Sequence, residues 1–210
     1  MPQISKAREV DLEQLQEDFG LIHLRNQKLF AEGSIELPSL TVAEMKLLDE
    51  VNDEFSYLST KDALEPIVKM VVLSPLLRIA GFFRSPFKIT AEKKVELMTE
   101  DEGLIVRGLI DLLVFYNQIW VVTIEAKRAE YSLKVAFPQV LTYMLASPTP
   151  QPIVSGLVTN GGEFRFIQLH KGEKPNEKPT YVMSDLLSID RGDDLYRVAQ
   201  ILKYLGQQVV

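Results

Sequence analysis

Apolar residues along this chain follow two different periods, and the change of period marks out the elements. Residues 103–116 and 119–127 are near-continuous runs of Val, Ile and Leu separated by the polar Tyr116-Asn117-Gln118. That pattern predicts a hairpin of two central strands covered on both faces. Residues 87–99 predict a third and more polar strand, and residues 153–159 and 163–170 predict a second hairpin about Asn160-Gly161-Gly162. Helical spacing takes over elsewhere. Leu12, Leu15, Phe19, Ile22 and Leu29 predict a helix over 9–30. A second helix starts after Pro38, where Thr41 and Glu44 form a capping-box pattern ahead of an apolar stripe of Met45, Leu48, Val51, Phe55 and Leu58.

Glu65-Pro66 and Ser74-Pro75 are each a cap followed by proline, which predicts two short helices, or one kinked helix, between 61 and 82, ending at Gly81. Residues 132–146 return to a helical pattern in which Pro138 either kinks the helix or opens its first turn. Residues 171–179 are a polar loop, and Leu195, Val198, Ile201, Leu202 and Leu205 predict a closing helix over 193–207. Helices, three strands, a helix, two strands and a helix imply an α/β fold with a central mixed sheet flanked by helices. The expected division is a single domain, with a helical N-terminal extension over 1–60, a core over 61–170 and a C-terminal loop and helix over 171–210.

Composition narrows the class. The chain has 210 residues, 46% of them hydrophobic and 25% charged, enough for one domain with a sizeable core. Its apolar runs are too short or too interrupted to span a membrane, and residues 1–19 lack the apolar core of a signal peptide. With no cysteine, disulfides, thiolate zinc sites and cysteine nucleophiles are excluded. These features predict a cytoplasmic protein without a membrane partner. The net charge of −6 argues against indiscriminate binding to polyanions. Yet Arg78, Arg84, Lys88, Lys93, Lys94, Arg107, Lys127, Arg128 and Lys134 gather in the middle of the chain, so a local basic face is available to nucleic acid.

The chemistry lies in the first hairpin. Carboxylates inside apolar strands are costly to bury. If the turn centres on Gln118, Asp111 stands opposite Glu125, and directly opposed residues have Cβ atoms about 4.5–5.5 Å apart. Strand alternation then puts Asp111, Glu125 and Lys127 on one face. Two carboxylates so close repel unless a cation or proton lies between them. Magnesium, with manganese as a substitute, takes oxygen ligands from one or two carboxylates, and Ala126 has a backbone carbonyl to add. An ammonium at Lys127 would hold the attacking water and offset phosphate charge. The expected reaction is metal-dependent hydrolysis of a phosphodiester bond.

Asp111 followed by Glu125-Ala126-Lys127 resembles the D…(D/E)xK signature of the PD-(D/E)xK nuclease superfamily, of restriction-endonuclease-like fold; Ile110 stands where the signature has proline. Gln139 and Tyr143 reproduce the QxxxY spacing of RecB-like nucleases, on one face of the following helix. Glu65 through Phe82, with Ser74-Pro75-Leu76-Leu77-Arg78 and Gly81, is similar to the first core helix in the N-terminal nuclease domain of type I restriction motor subunits. The resemblance spans roughly 61–170, and with no helicase motif in the chain it is to the nuclease domain alone. It implies that Asp111 and Glu125 bind Mg2+ with Glu65 as an outer or second ligand, that Lys127 positions water, and that Gln139 and Tyr143 orient the site or contact the DNA backbone.

A second reading stays open: a nuclease fold retained as a DNA-binding or protein-interaction module of a restriction or defence complex. RNA as substrate, a homodimer, and residues 1–40 as either a partner arm or a cover for the sheet are left open too. His23 and His170 lack metal-ligand spacing and are read as structural.

Overall fold

The computed structural model describes residues 3–31, 33–59, 65–99, 104–128, 130–149, 151–172 and 177–209. The predicted central hairpin is present as β4 (Leu104–Tyr116) and β5 (Ile119–Ala126), and β3 (Lys88–Met98) runs antiparallel to β4. The second hairpin is β6 (Ile153–Thr159) and β7 (Glu163–His170), with β6 parallel to β5. The restriction-endonuclease-like reading of a mixed sheet flanked by helices therefore stands.

The predicted helix over 9–30 is corrected. Only α1 (Leu12–Phe19) is helical, capped by the Asp11 carboxylate accepting from Gln14 N at 2.8 Å. It stops at Gly20, which takes a left-handed φ of +65°. The chain then extends as β2 (Ile22–Leu29), which pairs in parallel with β8 (Thr180–Ser184). Most of β2 is solvent-exposed, and its alternation stops after Ile22 and Leu24 at the polar run Asn26-Gln27-Lys28, while Phe19, Ile22 and Leu29 imitate a helical stripe. Pairing with a strand some 150 residues away is a tertiary override that local periodicity does not register.

Residues 3–6 form a further unexpected strand, β1 (Gln3–Lys6), which pairs in parallel with the first part of β4. The first sixty residues thus supply two strands to the sheet as well as helices. A short β9 (Leu187–Ser188) completes nine strands among the described residues, ordered β1-β4-β5-β6-β7-β8-β2, with β3 beside β4 and β9 beside β7.

Helices cover both faces. On one lie α2 (Val42–Ser59), α3 (Glu65–Val68), a π-helical turn (Lys69–Leu73), α4 (Ser74–Ile79) and α6 (Asp194–Gln207). Leu48, Val51, Phe55, Val72, Leu76 and Leu202 fill that core against Ile124, Leu157, Phe164 and Phe166 of the sheet. The Thr41–Glu44 capping box forms as expected, with Thr41 N donating to Glu44 Oε2 at 2.8 Å and Glu44 N to Thr41 Oγ1 at 3.2 Å. Helix α4 ends ahead of Gly81, whose φ of +82° stops it as expected. Residues 61–64, where the first short helix was expected to begin, lie outside the described residues.

On the other face, α5 (Phe137–Leu145) packs with α1 against Ile110, Leu113, Val154, Val158, Ile167 and Leu169. Pro138 sits in the first turn of α5, so it opens the helix instead of kinking it. Alternation along β7 divides the cores: Phe164 and Phe166 enter the first, Ile167 and Leu169 the second.

Candidate active site

The C-terminal end of β5 is where the two layers meet around charge. Ladder pairs run from Tyr116↔Ile119 through Phe115↔Trp120, then shift to Val114↔Val122 and Leu112↔Ile124. Val121 is the extra residue, a bulge that slides the register by one. The next pair along the shifted ladder is Asp111 with Glu125. Ile124 and Ala126 face the first core, so Glu125 and Lys127 face the opposite side, toward α5.

Glu125 is 1% exposed and its Oε1 accepts from Lys127 Nζ at 2.6 Å. Lys127 Nζ also donates to Gln139 Oε1 at 3.1 Å, and Gln139 Nε2 donates to the Tyr143 hydroxyl at 2.7 Å. Gln139 and Tyr143 are a turn apart on α5, and their chain of hydrogen bonds fixes the Lys127 ammonium against β5. Asp111 Oδ2 accepts the backbone N–H of Ala126 at 2.8 Å. Four of the six expected side chains, Glu125, Lys127, Gln139 and Tyr143, therefore form one hydrogen-bonded chain, and Asp111 is tied to the Ala126 backbone between two of them.

Glu65 joins through a residue that the sequence reading missed. Lys69 Nζ lies 2.7 Å from Glu65 Oε1 and 3.0 Å from Asp111 Oδ1, bridging the two carboxylates. Lys69 opens the π-helical turn, a wide turn often found at functional sites. The signal in the sequence was the spacing of four from Glu65, which places both on one face of a helix.

Burial pushes the Glu125 carboxyl up to about 8, the negative charge of Asp111 adds to the push, and the Lys127 ammonium opposes it. For Lys69, burial acts to lower the pKa but is outweighed by the hydrogen bond to Glu65 and the charge of Asp111, so it ends above its ordinary value. Burial, then the nearby Glu125 charge, raises Tyr143 and keeps it a neutral hydrogen-bonding phenol.

Among the described residues, no three His, Cys, Asp or Glu side chains converge as a metal-binding cluster. The reason is visible in the ion pairs: Lys69 draws Glu65 and Asp111 to itself while Lys127 holds Glu125. One atom nevertheless fits a cation. Glu125 Oε2 is buried with no hydrogen-bond partner, an expensive state for a carboxylate oxygen. Asp111 and Glu125 are hard oxygen donors of the kind Mg2+ and Mn2+ take, and two carboxylates are what Mg2+ asks of a protein. Glu65 could enter only once Lys69 releases it.

The two histidines lie elsewhere; His23 stacks on Tyr181 with ring centroids 4.5 Å apart. No helix among the described residues is long and apolar enough to cross a membrane.

Comparison with protein families matches residues 7–175 to the type I restriction enzyme R protein N terminus. The match begins well before residue 61, taking in α1 and β2. No curated protein matches the chain.

Proposed function

The chain belongs to the family of type I restriction enzyme R protein N termini, whose match covers about four fifths of its length, and from that premise we propose that it is a divalent-metal-dependent nuclease hydrolysing DNA phosphodiester bonds. The observation that carries the reading is Glu125: a buried carboxylate beside Asp111, one oxygen held by Lys127 and the other without a partner.

Asp111 and Glu125 would hold Mg2+ or Mn2+, with the Ala126 carbonyl as a further ligand and Glu65 as an outer ligand. A cation bound there supplies positive charge against the phosphoryl oxygens and makes water more acidic. The protein's own groups do the rest. Lys127, held by Gln139 and through it by Tyr143, orients the attacking water and offsets the negative charge on the phosphoryl oxygens. Lys69 keeps Glu65 and Asp111 from repelling each other.

The test is cleavage of single-stranded, double-stranded and branched DNA, and of RNA, with Mg2+ or Mn2+. Wild type is expected to cut DNA, and Asp111→Asn and Lys127→Ala are each expected to reduce the rate by at least about 100-fold. Absence of metal-dependent cleavage on every substrate sinks the enzyme reading.

A second reading has an observation of its own. Lys69 already neutralises two of the carboxylates, as it would in a fold kept for DNA binding or for assembly into a restriction complex. Titration with Mn2+ separates the two, since a binding module need show no affinity that Asp111→Asn abolishes.

A further inference from the structure

A cleft of about 640 Å³ opens beside the site, with Gln139 and Tyr143 in its lining. Its walls come from three places: the end of β1 and the 3₁₀ turn after it supply Lys6 and Arg8, β3 supplies Lys94, and β4 supplies Arg107. Four cations against one lining carboxylate, Glu96, make this a basic groove on a chain of net charge −6. The side chains of Lys6, Arg8 and Arg107 are 62%, 69% and 54% exposed, so their charges are directed at solvent and not spent in the core. Their partners in the chain, Glu9 and Glu96, are comparably exposed, and such surface pairs give way readily to a stronger anion. The groove also has an apolar contact: Leu109, 48% exposed, lies among the cations.

We propose that this groove carries one nucleic-acid strand into the site, its phosphates on Lys6, Arg8, Lys94 and Arg107 and its sugars over Leu109. The inference rests on the nuclease reading for its direction, because Gln139, which lines the groove, is bonded to Lys127. A volume of that size is the scale of a small-ligand pocket and cannot swallow a duplex, so the occupant is a single strand. Alternating cation and apolar contacts are how strands are held without regard to sequence.

The experiment is binding of a short fluorescein-labelled single-stranded DNA by the whole chain in EDTA, followed by fluorescence anisotropy over a range of salt. The variants are Lys6→Ala/Arg8→Ala and Lys94→Ala/Arg107→Ala. A control pair, Lys28→Ala/Lys46→Ala, removes the same charge from exposed positions elsewhere, and Arg107→Lys keeps the charge in the groove. Each groove pair is expected to lose roughly tenfold or more in affinity and to flatten the salt slope by about 0.7 per cation removed. The control and Arg107→Lys should bind close to wild type. Wild type that does not bind, groove variants that bind as wild type does, or a control that loses as much as they do, each overturns the proposal. Normal binding by groove variants of a protein that cuts DNA discards the groove and leaves the nuclease. Groove-dependent binding by a protein that never cuts keeps the groove and discards the nuclease.

Discussion

At the scale of single residues, Glu125 dominates the energetics. Its ordinary value is 4.5 and the fold raises it to about 8. Between those two values the native protein holds a proton that the unfolded chain has released. The contribution of Glu125 to the stability of the metal-free protein is therefore full below about pH 4.5 and falls as pH rises toward 8, by on the order of 1 kcal/mol per pH unit. Urea denaturation in EDTA from pH 5 to 9 should show this decline in wild type and a flatter profile in Glu125→Gln. Equal slopes in the two proteins would remove Glu125 as the cause. Strand alternation, with a turn centred on Gln118, was enough to bring Asp111, Glu125 and Lys127 together in the sequence. Lys69 escaped because its meaning depends on Asp111, which is distant in the chain and close only once α3 packs against the sheet. A lysine four residues after a glutamate otherwise reads as an ordinary surface pair.

At the scale of elements, the site depends on how closely α5 approaches β4. Gly108 makes that approach possible: a Cβ built there would lie 2.4 Å from Tyr143 Cε1 and 2.8 Å from Ala7 Cβ. Gly108→Ala must push the tyrosine ring, and with it Gln139 and the anchor of Lys127. The expected cost is about 1–3 kcal/mol of stability. Tyr143→Ala removes most of the collision, so the double variant should cost less than the two single variants together. Chemical denaturation of all four proteins in a double-mutant cycle measures the coupling; strict additivity would show that Gly108 and Tyr143 do not constrain each other. Nothing in the sequence distinguishes Gly108 from a strand glycine of no consequence. The bulge at Val121 is equally silent, although the pairing of Asp111 with Glu125 depends on it: the turn itself centres between Asn117 and Gln118, and the bulge restores the register that a turn centred on Gln118 would have produced. By contrast, the two hairpins and α2 were legible because period, turn residues and caps all agree there. The strands β1, β2 and β8 were not, because their pairing partners are remote and, in β2, little is buried.

At the scale of the molecule, one sheet serves two cores, and this sets how the protein should unfold. Leu48 on α2 and Leu141 on α5 are both fully buried, on opposite faces of the sheet. Each truncation to alanine is expected to cost about 2–5 kcal/mol, and the pair should add to within about 0.5 kcal/mol because the two sites share no contact. The sheet strands nevertheless line both cores, so neither layer can lose its packing while the sheet persists for the other. The single tryptophan, Trp120, is buried in the second core and reports on it alone. Leu48→Ala should therefore move the unfolding midpoint seen by Trp120 fluorescence as far as the midpoint seen by far-UV circular dichroism, although the mutation lies in the other layer. A Trp120 transition that stays in place while the dichroism midpoint falls would mean that the layers melt separately. The end of β5 that carries Glu125 would then be bordered by two units of different stability, and its geometry would be lost with the weaker one.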